Sequence, residues 1–91
     1  MKELRYTSRF KKDLKRILNK PEKLKALQEV LDMLKNEIPL PKKYREHVLQ
    51  GEYVGCMECH IEGDFLLIWF DEKSNTLALF RLGSHSELFK K

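Results

Sequence analysis

The sequence predicts an α+β protein whose elements follow the order β-α-α-β-β-β, with two N-terminal helices packed on a twisted antiparallel sheet. Three observations predict this fold class. Apolar side chains recur at helical spacing between residues 10 and 34, an unbroken apolar run occupies residues 65–70, and short turn signals lie on both sides of that run. Because such short turns join antiparallel neighbours, the second half of the chain is expected to form most of the sheet.

The first predicted element is a strand at residues 4–7. Thr7 or Ser8 can cap the helix that follows, because a hydroxyl oxygen at that position accepts a hydrogen bond from a free backbone N–H of the first turn. The apolar positions of this helix form one core-facing stripe: Phe10, Leu14, Ile17 and Leu18. Asn19 and Lys20 interrupt the stripe and end the first helix.

A second helix is predicted to begin at Pro21, since the first turn of a helix does not need the N–H that proline lacks. Five apolar residues form its buried face: Leu24, Leu27, Val30, Leu31 and Leu34. Lysines occupy the remaining faces of both helices. Pro39 and Pro41 exclude a continuing helix, because each removes an amide donor and disfavours helical geometry just before it.

Three strands are predicted in the second half, at residues 53–61, 65–70 and 76–82. Turn signals separate them at residues 62–64 (Glu-Gly-Asp) and 73–75 (Lys-Ser-Asn). The middle strand is apolar on both faces, so we expect it to be central in the sheet with one face against the helices.

Length and composition favour a single domain spanning residues 1–91, since so short a chain cannot form two cores. Apolar residues at 42% and charged residues at 35% are typical of a globular protein, and no segment reaches the roughly 18 apolar residues of a membrane span. The N-terminus has no apolar signal-peptide segment. A cytoplasmic location and no membrane partner are therefore expected.

The net charge of +4 conceals an asymmetry along the chain. Residues 1–45 carry fourteen Lys and Arg against six Asp and Glu, whereas residues 46–91 carry four against eight. A lysine-rich surface that only interacts with water is one explanation. The other is an electrostatic platform for a polyanion such as RNA. Charge alone leaves both explanations open.

Cys56, Cys59 and His60 form the pattern Cys-x-x-Cys-His, which formally matches covalent haem attachment. The pattern falls in a predicted strand, where residues three apart point to opposite faces. A zinc site would need a second spaced pair of ligands, and a disulfide is not expected in a reducing compartment. We therefore expect no cofactor and no metal site, and both thiols should be reduced packing residues.

All three histidines, His47, His60 and His85, lie in the second half of the chain. Histidine is the commonest proton-transfer residue near neutral pH, so this distribution indicates general acid/base chemistry. Glu58 lies two residues before His60 and shares its strand face, where a carboxylate can orient an imidazole. The alternatives are an ordinary surface ion pair for Glu58 with His60 and a loop position without catalytic importance for His47.

The C-terminal segment makes the pattern specific. Residues 81–89 read RLGSHSELF, residues 46–51 read EHVLQG, residues 58–64 read ECHIEGD before an apolar strand, and residues 39–41 read PLP. These four segments, in order and at compatible spacing, resemble a YafQ-type toxin of the RelE/ParE superfamily over essentially the whole chain. The resemblance implies a RelE-like fold and a type II toxin–antitoxin toxin, acting as an endoribonuclease that cuts mRNA in the ribosomal A site.

The resemblance also implies a set of functional positions. They are His47, Glu58, His60, Asp64, Arg81, His85 and Phe89. Met57 departs from the family, in which arginine is common at this position, so a phosphate contact there would be missing. The implied partners are mRNA, the ribosome with its rRNA, and a cognate antitoxin protein.

Cleavage of RNA through its own 2′-OH needs a base, an acid for the 5′-oxygen and positive charge on the phosphorane, and it requires no metal. Our hypothesis makes His85 the acid, His60 held by Glu58 the base or proton relay, and Arg81 the phosphate contact. The acid and the base can be exchanged. The two remaining polar positions, His47 and Asp64, would complete the proton network, and Phe89 would stack on a base.

Two other classes of protein remain open. A ParE-like gyrase poison would share the fold but has no need of a set of histidines and carboxylates. A non-catalytic module that binds RNA or an antitoxin would keep its salt-sensitive binding when the histidines are replaced.

Overall fold

The computed structural model describes residues 1–89, with five strands and three α-helices in that range. The strands are β1 (Glu3–Tyr6), β2 (His47–Val48), β3 (Met57–Glu62), β4 (Phe65–Asp71) and β5 (Thr76–Gly83). The helices are α1 (Ser8–Lys15), α2 (Pro21–Lys35) and α3 (His85–Leu88), and short 3₁₀ turns lie at Lys42–Tyr44 and Gly51–Tyr53. The predicted α+β class and β-α-α-β-β-β order are confirmed, and β2 and α3 are additions to them. None of the helices within residues 1–89 has the length and apolar character that crossing a membrane demands.

The strands form one sheet in the order β1-β5-β4-β3-β2. All neighbours are antiparallel except β1 and β5, which are parallel. The predicted antiparallel sheet is confirmed for the other three strand pairs, and the parallel pair at one edge was not predicted. The physical reason is the crossover through α1 and α2, which carries the chain away from β1 and leaves that strand to pair with the last one. The strand β4 is central, as predicted.

Thr7 caps α1, as predicted, because its hydroxyl oxygen accepts a hydrogen bond from the Phe10 N–H at 3.1 Å. The helix ends at Lys15, and Ile17 is buried in the turn beyond it. Leu18 is 59% exposed, so its assignment to the core stripe is wrong. Helical spacing no longer sets the direction of a side chain that lies past the end of the helix.

The helices cover one face of the sheet. The α2 helix begins at Pro21 and ends at Lys35, before the proline segment, as predicted. The core between the helices and the sheet includes Phe10, Leu27, Val30, Leu31, Leu67, Trp69 and Leu79. The opposite face, which we call the open face, carries a smaller cluster: Cys56, Leu66, Ile68 and Leu88, with Leu49, Tyr53, Phe80 and Phe89 against it.

The strand β3 begins at Met57 rather than at the predicted Tyr53. Gly51 and Gly55 have φ of 72° and 88°, and these left-handed conformations interrupt an extended strand. The 3₁₀ turn between them places Tyr53 against the open-face cluster. The predicted start of this strand is therefore wrong because a turn occupies residues 51–55. The turn brings Tyr53 close to the site.

Candidate active site

Three predicted site residues meet on the open face, where β2 pairs with β3. His47 lies directly opposite Glu58 in this antiparallel pair, and its Nε2 is 3.0 Å from Glu58 Oε1. His60 follows on the same side of β3, and the ring centroids of His47 and His60 are 6.1 Å apart. We call His47, Glu58 and His60 the β2–β3 group.

Both ring nitrogens of His47 face hydrogen-bond acceptors. Nδ1 lies 2.7 Å from the carbonyl oxygen of Arg45, and because a carbonyl can only accept, Nδ1 carries a proton. Arg45 has left-handed backbone angles of φ 52° and ψ 45° in the turn that precedes β2. His47 Nε2 faces the carboxylate of Glu58 at 3.0 Å. The two groups are therefore close enough to share a hydrogen bond.

Glu58 is only 2% exposed, and its second oxygen, Oε2, is buried without a hydrogen-bond partner among the described residues. An unpaired buried carboxylate oxygen is costly, and such groups concentrate at functional sites. The structure contradicts the expectation that Glu58 holds His60, since Glu58 pairs with His47. Directly opposite residues lie about 4.5–5.5 Å apart, whereas positions i and i+2 of one strand are separated by about 7 Å. The unpredicted strand β2 thus supplies the nearer partner.

The C-terminal site residues gather at the start of α3. Ser84 and Glu87 form a capping box, in which Ser84 Oγ accepts from the Glu87 N–H at 3.2 Å and the Glu87 carboxylate accepts from the Ser84 N–H at 2.8 Å. This bond from Ser84 holds the pKa of Glu87 below its ordinary value. Asp64 Oδ1 accepts from the backbone N–H of His85 at 2.9 Å, and the His85 and Phe89 ring centroids are 4.7 Å apart. We call Asp64, His85 and Phe89 the α3 group.

The two groups lie at the same end of the sheet. His60 pairs with Leu66 across β3 and β4, and Leu66 pairs with Gly83 across β4 and β5. Because adjacent strands are about 4.8 Å apart, the backbones of His60 and Gly83 are separated by about 10 Å. His85 follows Gly83 by two residues. Histidines therefore lie on both sides of Leu66, a fully buried residue of β4.

Arg81 is held inside the protein. Its side chain is 9% exposed, and Nε and Nη2 donate to the Asp13 carboxylate at 2.8 and 3.2 Å. Hydrogen bonding to Asp13 raises the pKa of Arg81 above its ordinary value. This placement contradicts the expectation of a phosphate contact, because an acidic partner on α1 already binds the guanidinium.

Asp13 is a buried residue that sequence reasoning missed. It is 3% exposed, and its carboxylate accepts hydrogen bonds from Arg81, from Arg16 Nη2 at 2.8 Å and from the backbone N–H of Leu82 at 2.9 Å. Asp13 thereby gives a hydrogen-bond partner to a backbone N–H of β5 that lies beyond the end of β1. The available signal was an acidic residue three positions after the apolar Phe10, on the core side of a lysine-rich helix.

Tyr53 is the second residue that was missed. Its hydroxyl accepts from Arg81 Nη1 at 3.1 Å and donates to the carbonyl oxygen of Leu88 at 3.2 Å. Its ring meets the ring of Phe89 edge-on, at 5.5 Å between centroids. The sequence carried no signal for this role, because Tyr53 was assigned to the start of a strand.

Cys56 and Cys59 are buried free thiols, as predicted. Cys59 packs beneath the helices and Cys56 belongs to the open-face cluster, so the two point to opposite faces. Burial raises the pKa of both thiols, that of Cys59 to about 12. Within residues 1–89, no group of three or more His, Cys, Asp and Glu side chains is arranged to hold a metal ion.

Cations flank both groups of site residues. Lys43 and Arg45 line an open cleft together with His60 and Glu62. A second cleft, which includes Asp64, is lined by three further cations: Arg16, Lys20 and Lys23. Positive charge is therefore available beside the site without Arg81.

Sequence comparison finds relatives along the whole chain. A sequence model of the family described as bacterial toxin of type II toxin-antitoxin system, YafQ, matches residues 2–90. The mRNA interferase toxin YafQ of Escherichia coli (strain K12) is 30% identical over 89 residues, which cover 97% of this chain and 96% of that protein.

Structural comparison agrees. The metal-bound toxin from Helicobacter pylori is 42% identical, with a TM-score of 0.87, and the match covers 98% of this chain and 100% of that one. A chain in the E. coli DinJ-YafQ complex is 30% identical, with a TM-score of 0.84, over 98% of this chain and 99% of that one. The shared fold thus includes the strands, the turn and the short helix that carry the two groups of site residues.

Proposed function

The chain belongs to the YafQ family of bacterial toxins from type II toxin–antitoxin systems, and we propose from this that it is an endoribonuclease that cleaves mRNA. The E. coli relative is named an mRNA interferase. We propose further that this chain cuts mRNA in the A site of the translating ribosome and so inhibits translation in the cytoplasm. The observation that carries the proposal is the placement of two groups of proton-transfer residues at one end of the sheet, on either side of Leu66.

The chemistry begins with the 2′-OH of the RNA, whose oxygen attacks the adjacent phosphorus and displaces the 5′-oxygen. One side chain must remove the 2′-OH proton, and another must protonate the leaving oxygen. The β2–β3 group and the α3 group can perform these two tasks from opposite sides of the substrate. The backbones of His60 and Gly83, which carry or adjoin the two groups, are about 10 Å apart. Both steps are proton transfers, so no metal ion is needed to form the nucleophile.

His85 is the general acid in this proposal. It is exposed at the start of α3, and Asp64 fixes its backbone. Phe89 lies against one side of the His85 ring, which sets the ring's orientation, and the partly exposed ring of Phe89 can stack on an RNA base. Loss of His85 should therefore remove the proton donor while the fold is retained.

His60 is the general base in this proposal, and the neighbouring His47–Glu58 pair supports it. The His60 ring makes no hydrogen bond to another described residue, so a ring nitrogen is available to the 2′-OH. The His47–Glu58 pair adds a donor beside the phosphorane and an acceptor, Glu58 Oε2, whose partner is missing. With Arg81 buried, Lys43 and Arg45 in the adjacent cleft supply the positive charge that the transition state needs.

The partners follow from charge. The lysine-rich surfaces of α1 and α2 would bind the phosphates of rRNA, and the ribosome would deliver the mRNA to the open face. An E. coli YafQ chain has been solved in complex with DinJ. We propose by analogy that a cognate antitoxin protein binds this chain and blocks its activity.

A single-atom change in the substrate tests the mechanism. A ribosome-bound mRNA that carries one 2′-deoxynucleotide at the cleaved position should not be cut there, because the nucleophile is absent. An mRNA with the deoxy substitution one codon away should still be cut. The toxin should keep its activity after transition metals are stripped from it. Cleavage at the deoxy position, or recovery of activity only on adding a metal, would contradict the mechanism.

A further inference from the structure

The structure contains a buried charge network that the proposed chemistry does not use. Asp13 and Arg81 are 3% and 8% exposed and are joined by two hydrogen bonds. An ion pair removed from water is a poor device for stability alone, because loss of hydration offsets most of the attraction. Its position relative to α3 indicates a role in the site.

The network continues from Arg81 to the α3 group through Tyr53. Arg81 Nη1 donates to the Tyr53 hydroxyl at 3.1 Å, and that hydroxyl donates to the Leu88 carbonyl oxygen at 3.2 Å. The carbonyls at the end of a helix have no partner within the helix, so this bond ties down the last residue of α3. A hydroxyl that accepts from a cation is a stronger donor, since hydrogen bonds in a chain polarise one another.

The ring of Tyr53 completes the connection. It meets Phe89 at 5.5 Å between centroids, and Phe89 in turn lies 4.7 Å from the ring of His85. Tyr53 therefore contacts both the backbone at the end of α3 and the aromatic side chain that orients His85. The helix has only four residues, which is too short to hold its own shape in water.

We propose that Tyr53 and Arg81, anchored by Asp13, are positioning residues that hold His85 and Phe89 in their active arrangement. This inference rests on the proposed function of His85 as the proton donor. Arg81 acts through Tyr53 and does not touch the substrate. The hydroxyl of Tyr53 controls the rate of the chemical step and leaves the binding of ribosome and mRNA unchanged.

The test is Tyr53→Phe, which removes the hydroxyl and keeps the ring against Phe89. We expect kcat for cleavage of ribosome-bound mRNA to fall about 3- to 10-fold with KM unchanged, as for the loss of one hydrogen bond that orients a catalytic group. The matched control is Tyr6→Phe, because Tyr6 is 41% exposed on β1 and lies outside the network. This control should retain full activity.

A double-mutant cycle distinguishes positioning from a general loss of stability. In a His85→Ala background, Tyr53→Phe should cause a clearly smaller loss than in the wild type, because the proton donor that it positions is absent and only Phe89 remains to be displaced. Full additivity of the two losses would overturn the proposal, as would an unchanged kcat in Tyr53→Phe alone.

A measurement without RNA separates failure of this inference from failure of the proposed function. NMR of Tyr53→Phe should show shifted ring signals of His85 and Phe89 and faster amide exchange in α3, while Tyr6→Phe leaves both as in the wild type. Unchanged signals and exchange would overturn the positioning role even if the protein cleaves RNA. Altered signals in a protein that cuts no RNA would support the positioning and contradict the function on which it was built.

Discussion

At the scale of single residues, the orientation of His47 depends on a backbone carbonyl as well as on a side chain. Its Nδ1 lies against the carbonyl oxygen of Arg45 and its Nε2 against Glu58, so contacts on both ring nitrogens fix the ring. Glu58 retains a buried oxygen without a partner. Such a cost is offset where a substrate group completes the hydrogen bonding, and the 2′-OH of RNA, which can donate a hydrogen bond to a carboxylate oxygen, is the group that fits this proposal.

Glu58→Gln tests this residue. The amide keeps the shape of the side chain but cannot exchange a proton with His47, so we expect cleavage to fall by about 10²-fold or more. Single-turnover cleavage of ribosome-bound mRNA is the measurement. Glu52→Gln, an equivalent change at an exposed carboxylate in the neighbouring 3₁₀ turn, should have no effect. Wild-type rates in Glu58→Gln would exclude the His47–Glu58 proton from the reaction.

Cys59 gives a second prediction at this scale. Thiolates rather than thiols react with alkylating agents, and burial raises the pKa of Cys59 to about 12, so its thiolate is scarce at pH 8. Iodoacetamide should label Cys59 in the folded protein far more slowly than in denaturant, as read by mass spectrometry. Cys56→Ser isolates the signal of Cys59. Rapid labelling of the folded variant would show that the environment assigned to Cys59 is wrong.

The chemical types of the site residues could be predicted from sequence, but their pairing could not. Glu58 and His60 were correctly placed on one strand face, because alternation is a property of the strand itself. The true partner of Glu58 lies on β2, which is two residues long and carries no periodicity. Arg81 was expected at the surface because its partner, Asp13, is 68 residues away along the chain.

At the scale of elements, α3 depends on its first turn. Its four residues are capped by Ser84 and Glu87, and the Asp64 carboxylate holds the N–H of His85. The pattern Ser-x-x-Glu in residues 84–87 is the usual signature of a capping box. A short helix after β5 could therefore be predicted from these residues, although no periodic apolar stripe marks it. The short turn before β3 was missed for a different reason, since positive φ at glycine leaves no mark on an alternating pattern.

Gly83→Ala tests the first turn of α3. Gly83 has φ of 154°, and a methyl group there would lie 2.6 Å from the Glu87 carboxylate that caps the helix. We expect the cap to be displaced and cleavage to fall at least 10-fold, with a lower Tm, because loss of a cap costs about 1 kcal/mol and moves His85. The measurements are thermal unfolding and mRNA cleavage.

The control for Gly83→Ala is Gly51→Ala. Gly51 also has positive φ, at 72°, but a methyl group there would meet no atom within 4 Å. It should lose stability through backbone strain alone and keep its activity. Equal loss of activity in the two variants would show that strain rather than the cap matters.

At the scale of the whole molecule, the sheet separates two kinds of surface. The two helices on one face, α1 and α2, carry six of the thirteen lysines, and the open face carries His47, Glu58 and His60. This division follows from the order of the chain, because the basic half is helical and the acidic half forms most of the sheet. The core and central strand could be predicted from apolar spacing, whereas the parallel pairing of β1 with β5 depends on how the crossover closes and is not encoded locally.

Charge reversal tests the role of the helical surface. The double variant Lys11→Glu and Lys12→Glu changes two exposed positions of α1 and should weaken ribosome binding. Binding should also become less sensitive to salt. The slope of the logarithm of the binding constant against the logarithm of the salt concentration should decrease in magnitude by about 0.7–0.9 for each lost phosphate contact. Binding measured by sedimentation across a salt series gives the slope. Lys73→Glu, in the β4–β5 turn at the opposite end of the sheet from His85, is the control. An equal change in slope per lysine would show that only net charge matters.

The most direct test of the central claim is primer extension on a defined mRNA in a translating extract. It compares the wild type, His85→Ala and the control Ser74→Ala, which lies in the β4–β5 turn, with a ribosome-free reaction alongside. We expect cuts at defined codons with the wild type and the control, and no cuts without ribosomes. The rate of cleavage should fall by about 10²- to 10⁴-fold with His85→Ala. Wild-type cleavage by His85→Ala, or no cleavage by the wild-type protein, would contradict it.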